Sequence, residues 1–140
     1  MLNKIYSLFI FLILLSISCT DEDTFPKIRV SESIPITMPQ WSNVFNNVWG
    51  YDIIENAGLG GIIIVQGLNN TFIAYDKSCT FEKTNQCTVS GNYNNETILT
   101  CGCCESQFNV IDGSIFNGPA NQALKRYNTF FDGHILYVTN

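Results

Sequence analysis

Six cysteines are the residues of this sequence whose types and spacing most clearly point to chemistry. Three of them, Cys101, Cys103 and Cys104, fall within the short stretch TCGCCESQF, and Cys79 and Cys87 precede that stretch. A cysteine thiolate can bind a metal ion or attack a second cysteine to form a disulfide. If the sixth, Cys19, is lipidated, these five remain, and because five is odd at least one must be free, bound to metal or paired with another molecule.

The metal interpretation rests on two pairs of cysteines. Two residues separate Cys101 from Cys104, which is the spacing with which two thiolates converge on one zinc or iron ion. The available second pair is Cys79 and Cys87, which seven residues separate. That spacing is longer than usual, although a longer loop can still close on an ion. A four-thiolate site and a set of disulfides therefore both stay open.

The N-terminal residues predict that these thiols are exported. Residues 1–18, MLNKIYSLFIFLILLSIS, combine a charged start at Lys4 with an apolar run from Leu8 to Leu15, which is typical of a secretory signal peptide. The run is shorter than the about 20 residues of a comfortable transmembrane helix. Beyond the cytoplasm a cysteine pair is more readily oxidised, so disulfides become plausible.

The residues around Cys19 resemble a bacterial lipoprotein cleavage box, with the preferred leucine one position early at Leu15. In such proteins the cysteine is lipidated and becomes the first residue. The TDED that follows is similar to the signal that sends lipoproteins of the Bacteroidetes group to the cell surface. We therefore expect a lipidated Cys19 and tether over 19–29, a domain over 30–140, and an outer-membrane or cell-surface location.

The composition favours one all-β domain. The 140 residues suffice for a single core, and the many Phe, Tyr, Gly and Asn residues are typical of strands joined by tight turns. The net charge of −5 leaves no basic patch for phosphates, which disfavours nucleic-acid binding. With one histidine and scattered acidic residues, no nucleophile–base pair is visible, and we predict no catalytic residues.

The hydrophobic pattern predicts antiparallel hairpins. IIIVQ and TFIAYD flank the turn residues GLNN, and Asp112-Gly113 and Asp132-Gly133 mark two further turns. Further strands are expected at 29–30, 96–101, 108–111, 114–116, 127–131 and 134–139, with a turn or short helix at 41–48. Turn signals at this spacing predict a sandwich or barrel. The polar segment 77–107, which holds the cysteines, is expected to be a small loop subdomain held by staples.

The stretches FIAYDKSCTFE, LTCGCCESQFNVIDGSIFNGPANQALKRY and DGHILYV, taken in this order, resemble the Rieske 2Fe-2S domain family. In that family a first loop reads C-x-H, a second reads C-P-C-H-G-S-x-F, and a GPA loop covers the cluster. Here SCTFE, CGCCESQF and the residues Gly118, Pro119 and Ala120 stand in those places. The resemblance implies a Rieske-like antiparallel β-sandwich or barrel, closely over 58–140 and loosely over 30–57.

The resemblance also assigns ligand positions, and two of them are altered. Cys79 and Cys101 match the two cysteine ligands, whereas the histidine positions hold Phe81 and Cys104. A Rieske centre places two cysteines on one iron and two histidines on the other. A chain whose one histidine is His134 cannot supply them, and we expect that histidine to be a surface residue.

Some members of the family tie their two loops together with a disulfide, and the resemblance implies that pairing for Cys87 and Cys103. Cys79 then faces Cys101 and Cys104 across the cluster cavity, where a second disulfide could form.

The predicted function follows from this degenerate ligand set. We expect a lipid-anchored cell-envelope protein that binds no cofactor, contacts the membrane through Cys19 and serves as a disulfide-stapled binding or structural module with an envelope protein partner. The alternatives are a Rieske-type 2Fe-2S electron-transfer protein with altered ligands, or a zinc or iron site formed by Cys79, Cys101 and Cys104.

Overall fold

The structure, a computed structural model, describes residues 25–91 and 97–140. The predicted signal peptide, Cys19 and most of the predicted tether lie outside the described residues. Within the described ranges, no helix combines the length and the apolar character that crossing a membrane requires.

The described residues form short strands, one short α-helix and two 3-10 turns. The 3-10 turns are Pro39–Trp41 and Leu68–Asn70, and the helix α1 is Ser42–Asn46. The strands are β1 Ser31–Pro35, β2 Tyr51–Ile54, β3 Ile62–Gln66, β4 Phe72–Asp76, β5 Val89–Ser90, β6 Ile98–Cys101, β7 Gln107–Asn109, β8 Ile115–Asn117, β9 Arg126–Phe131 and β10 Ile135–Thr139.

These strands build two antiparallel sheets. The larger has six strands in the order β1-β10-β9-β4-β3-β2, and the smaller has four in the order β5-β6-β7-β8. The all-β antiparallel prediction is confirmed, as are the β3–β4, β7–β8 and β9–β10 hairpins with their turns.

The β3–β4 hairpin lies in the middle of the molecule and is buried on both faces. Ile62 and Ile64 point into a core that includes Leu136 and Val138, while Ile63 and Val65 belong to a second core. That second core is shared with the smaller sheet, through residues such as Leu99 and Phe108. Burial on both faces explains why IIIVQ is a continuous apolar run rather than an alternating one.

The prediction for the N-terminal edge is wrong. Arg29 and Val30 are irregular, and the strand is Ser31–Pro35. This strand pairs with β10, so that Ser31 faces Thr139 at the far end of the sequence. Pro35 is tolerated because an edge strand can end on a residue without an N–H group. The short helix expected at 41–48 is present as α1.

Two further boundaries need correction. The strand predicted at 108–111 ends at Asn109, because the side chain of Asn109 accepts the N–H of Ile111 and starts the turn. The subdomain predicted at 77–107 extends to the end of β8 at Asn117. Its buried Leu99 and Phe108 also show that apolar packing, and not staples alone, holds it to the larger sheet.

Candidate functional site

Two loops of similar conformation carry the site. The first cysteine loop, residues 77–88, follows β4, and the second, residues 101–106, begins at Cys101, the last residue of β6. In the first loop the N–H of Lys83 donates to the carbonyl of Cys79 at 2.8 Å, and in the second the N–H of Glu105 donates to Cys101 at 3.1 Å. Both Lys83 and Glu105 have positive φ, at 50° and 59°. Such backbone strain in non-glycine residues persists only where the surroundings enforce it.

The two loops are joined to each other by a disulfide and by backbone contact. Cys87 and Cys103 form the disulfide, with Cα atoms 5.6 Å apart, and this is the pairing that the resemblance implied. Nearby, the N–H of Gly102 donates to the carbonyl of Thr88 at 3.1 Å. The first cysteine loop and the second cysteine loop therefore hold one another in a fixed relation.

The remaining three thiols converge in the space between the loops. The sulfur atoms of Cys79, Cys101 and Cys104 all lie within 4.8 Å of one another, and those of Cys79 and Cys104 are 3.5 Å apart. Cys79 and Cys101 are buried, whereas Cys104 is partly exposed. The three are free thiols, so the second disulfide that was considered among them is not formed.

The four-thiolate site considered from the spacing is wrong in its fourth member. The Cys87 sulfur is bonded to Cys103 and has no thiolate to offer a metal. Sequence spacing alone could not separate these roles, because Cys87 reaches its partner only through the fold of both loops.

The surroundings of Cys79 and Cys104 differ, and so do their acidities. Burial, together with the neighbouring Cys101 thiol, raises the pKa of Cys79 to about 12. Burial also acts to raise the pKa of Cys104, but its hydrogen bonds with the hydroxyl and backbone N–H of Ser106, and with the two other thiols, bring that pKa below its ordinary value. Cys104 is therefore much easier to ionise than Cys79.

The covering loop, Gly118, Pro119 and Ala120, rests on Ser106. The buried Ser106 hydroxyl accepts the N–H of Ala120 at 3.0 Å and lies 3.1 Å from the Cys104 sulfur. Gly118 has φ of +104°, and a Cβ there would come within 2.5 Å of the Ser106 Cα. Ser106 thus connects the covering loop to the thiol site. In the sequence, the S-x-F motif contributed to the family resemblance but did not indicate this role of the serine.

The two residues that bear on histidine ligation lie in different places. Phe81 is in the first cysteine loop, half-exposed, and its side chain has no donor atom. His134 is exposed in the β9–β10 turn, where its backbone N–H donates to Asp132 at 2.8 Å. Of the residues described, only the three cysteines gather as metal-ligand atoms around this position.

The protein is a small β-domain of a recognisable class. It combines a six-stranded antiparallel sheet and a smaller sheet with two disulfide-linked loops, and the loops carry the site. Residues 44–128 match the family model of the Rieske [2Fe-2S] domain, and the chain belongs to that family. The family expectation drawn from the loop motifs is confirmed.

One of the similar solved structures supports the same fold. One chain from a complex of reduced oxygenase and oxidised ferredoxin in carbazole 1,9a-dioxygenase is 16% identical, with a TM-score of 0.51, and the match covers 80% of this chain and 94% of that one. A chain described as the small subunit of an NADH-dependent nitrite reductase from Mycobacterium tuberculosis is 10% identical, with a TM-score of 0.45 and coverage of 81% and 97%. A search of curated proteins finds no match.

The donor set does not fit the usual Rieske cluster. That cluster takes two cysteines and two histidines. The resemblance of the loop motifs assigns Cys79 and Cys101 to the cysteine positions and Phe81 and Cys104 to the histidine positions. The one histidine of the chain is in the β9–β10 turn.

Proposed function

We propose that this protein is a Rieske-fold binding module of the cell envelope that does not hold the histidine-ligated 2Fe-2S cluster of its family. The observation that carries the proposal is the donor set: three cysteines gather between the loops, and Phe81 stands where the first histidine is expected. A phenyl ring cannot coordinate iron, so the second iron of the cluster lacks a protein ligand on that side.

The scaffold that carries the cluster in the family is nevertheless retained. The Cys87–Cys103 disulfide fixes the two cysteine loops, and the buried Ser106 holds the covering loop against them. A rigid fold with a loop-held site can serve a new ligand when the chemistry of the site changes. We infer that the two cysteine loops form a binding site. Another protein of the cell envelope is one partner that we expect this site to bind.

The proposed location rests on the sequence. Residues 1–18 have the pattern of a signal peptide, and Cys19 with the acidic residues after it resembles a surface lipoprotein anchor. A disulfide suits an exported protein, since oxidising compartments preserve such bonds. Lipid chains on Cys19 are expected to hold the protein on the membrane, because each buried methylene adds about 0.8 kcal/mol.

Metal and sulfide analysis tests the loss of the cluster. The full chain, purified in detergent without air, is expected to be colourless and to contain neither iron nor acid-labile sulfide. Brown protein with iron and sulfide in equal amounts would contradict the proposal and would support the alternative, a 2Fe-2S electron-transfer protein with altered ligands. The observation that favours this alternative is that the sulfur atoms of Cys79, Cys101 and Cys104 lie together and can bind iron.

A variant at the anchor tests the location separately. Cys19→Ser is expected to move the protein from the membrane fraction to the soluble fraction and to remove the mass of the acyl chains. The matched control is Cys104→Ser, which leaves the anchor intact. An unchanged membrane fraction for Cys19→Ser would show that another segment retains the protein.

A further inference from the structure

We propose that Cys79, Cys101 and Cys104 bind one Zn²⁺ ion as a three-thiolate site whose fourth position is open to an external ligand. This deepens the proposed function, on which it rests, by naming the ligand of the loop-held site as a single ion rather than a two-iron cluster. Binding releases the protons of the three thiols to solvent, with no change in oxidation state.

The distances between the sulfur atoms suit one ion. Thiolates at 2.3 Å around a tetrahedral zinc lie about 3.8 Å from one another. The Cys79 and Cys104 sulfurs are 3.5 Å apart, and all three sulfurs lie within 4.8 Å. Movements of about 1 Å or less therefore complete the coordination.

The same distances argue against a pair of metals. In the family pattern, Cys79 and Cys104 occupy positions that serve opposite irons. Ligands on two different metals of a cluster diverge, whereas the sulfurs of these two residues approach to the separation expected on a single ion. The Cys104 sulfur therefore lies close enough to that of Cys79 for both to bind the same ion.

The disulfide sets the number of ligands. With Cys87 and Cys103 bonded to each other, three cysteines remain in the two loops. Zinc sites with three protein ligands keep the fourth position for water or another exchangeable ligand, as catalytic and transport sites do, whereas structural sites use four.

Charge favours a divalent ion. Three thiolates in a mostly buried position are costly unless a cation offsets their charge. Zn²⁺ leaves one net negative charge, whereas a monovalent soft ion leaves two. Zinc is also a borderline-soft ion that thiolates bind well.

Outer hydrogen bonds already orient two of the sulfur atoms. The backbone N–H of Phe81 donates to the sulfur of Cys79, and the Cys104 sulfur is hydrogen-bonded to both the hydroxyl and the backbone N–H of Ser106. Partners of this kind fix the direction of metal ligands and tune their affinity. The two loops thus present the ligands in a prepared arrangement.

The exposure of the three cysteines indicates where the fourth position opens. Cys79 and Cys101 are closed off in the core, while Cys104 reaches the surface. The neighbouring carboxylates of Glu82 and Glu105 are exposed, and neither lies among the gathered donor atoms. An external ligand therefore reaches the ion on the Cys104 side.

Cobalt titration tests the site directly. The full chain, purified in detergent without air and treated with chelator, is titrated with Co²⁺ as a spectroscopic probe. We expect one Co²⁺ per chain, with a thiolate-to-cobalt charge-transfer band and visible bands of tetrahedral cobalt, both lost when Zn²⁺ is added. Zn²⁺ is also expected to protect three thiols from alkylation.

Variants of the ligands and a matched control sharpen the test. Cys104→Ser, at the partly exposed ligand, is expected to weaken Co²⁺ binding at least about a hundredfold, since even outer partners of metal ligands cost up to that much. His134→Ala is the control and should bind as the unaltered protein does. Circular dichroism of each variant verifies that it is folded.

The possible results separate this inference from the proposed function. Colourless, iron-free protein that fails to bind Co²⁺ saturably overturns the zinc site and leaves the cluster-free module standing. Binding of one Co²⁺ with equal affinity in Cys104→Ser also overturns the site. Equal amounts of iron and sulfide in the purified protein overturn both proposals.

Discussion

The six-stranded sheet and the cysteine-bearing subdomain, which is the four-stranded sheet with the two cysteine loops, are held together by different means. The strands of the larger sheet have four to six residues and contribute whole rows of buried side chains. Those of the smaller sheet have two to four, and the two loops beside them are closed by a disulfide. The buried side chains stabilise the large sheet. In the subdomain, by contrast, many residues of the two loops form the thiol site and its disulfide instead of a large core.

The contrast extends to how each region treats buried polar groups. At the end of β4, the buried Asp76 carboxylate accepts hydrogen bonds from the N–H groups of Leu59 and Ser78 and from the Tyr127 hydroxyl. Burial and the Asp76 carboxylate both raise the pKa of Tyr127, so the phenol stays protonated as a donor. Around Asp76 these polar groups satisfy one another, whereas the thiol site gathers three sulfur atoms that can bind a ligand.

The largest effect is expected from a cavity in the six-stranded sheet. Leu136 in β10 is fully buried. Leu136→Ala should lower the free energy of unfolding by about 3 to 5 kcal/mol, since it removes apolar contacts and leaves a void. Urea unfolding measures it. Leu68→Ala is the control, because Leu68 is 60% exposed, and its value should stay near zero. Similar losses for both variants would mean that burial does not hold this sheet.

The next effect is expected from the disulfide. Cys87→Ser combined with Cys103→Ser opens a loop whose ends are 16 residues apart in sequence, which should cost about 3 kcal/mol in the chain-entropy model. Hydrogen exchange should speed up at residues 79–88 and 101–106 while β3 and β4 keep their protection.

Reduction gives an independent check of the same comparison. Dithiothreitol should destabilise the unaltered protein by a similar amount and leave the double variant unchanged. Faster exchange in β3 as well would indicate that the two regions unfold as one unit.

A smaller effect is expected at Ser106. Ser106→Ala leaves the buried N–H of Ala120 without its acceptor and removes the hydroxyl to which the Cys104 thiol is hydrogen-bonded. The cost should be about 1 to 3 kcal/mol in unfolding free energy, as for an unsatisfied buried donor. Co²⁺ affinity should also fall, by about 10- to 100-fold if the zinc site is present. Ser33→Ala, in the exposed part of β1, is the control. Lost stability with unchanged Co²⁺ affinity would limit Ser106 to a structural role.

Local signals made much of the fold predictable, and long-range pairing limited the rest. Turn dipeptides such as Asp132-Gly133 fix their hairpins within a few residues, so those strands could be located from the sequence. The pairing of Ser31 with Thr139 leaves no local pattern, and β1 was misplaced. At the site, the spacing of the cysteines did not predict which of them form the disulfide. That pairing was predicted from the family resemblance of the loop motifs. The convergence of those three sulfurs required the fold of both loops.

The smallest effect on stability is expected from substitutions in the Asp-Gly turns, of which each region has one. In the six-stranded sheet, the N–H groups of Ile135 and His134 donate to Asp132 and lower its pKa. In the subdomain, Asp112 has its pKa lowered by the hydroxyl and N–H of Ser114. A carboxylate with a lowered folded pKa adds stability above its unfolded pKa of about 3.9, and that stability is lost as the pH falls through the folded value.

Asp132→Asn and Asp112→Asn should therefore lower the melting temperature slightly at pH 7, and this difference should shrink as the pH falls and the carboxylates become protonated. Thermal melts across this range measure the difference. Both side chains are fully solvated, so solvent screens them and the two shifts should be equally small. A clearly larger shift for Asp112→Asn would mean that the subdomain depends on this turn as well as on its disulfide. The β7–β8 turn would then join the Cys87–Cys103 disulfide as a feature that stabilises the subdomain, in contrast to the side-chain packing that stabilises the larger sheet.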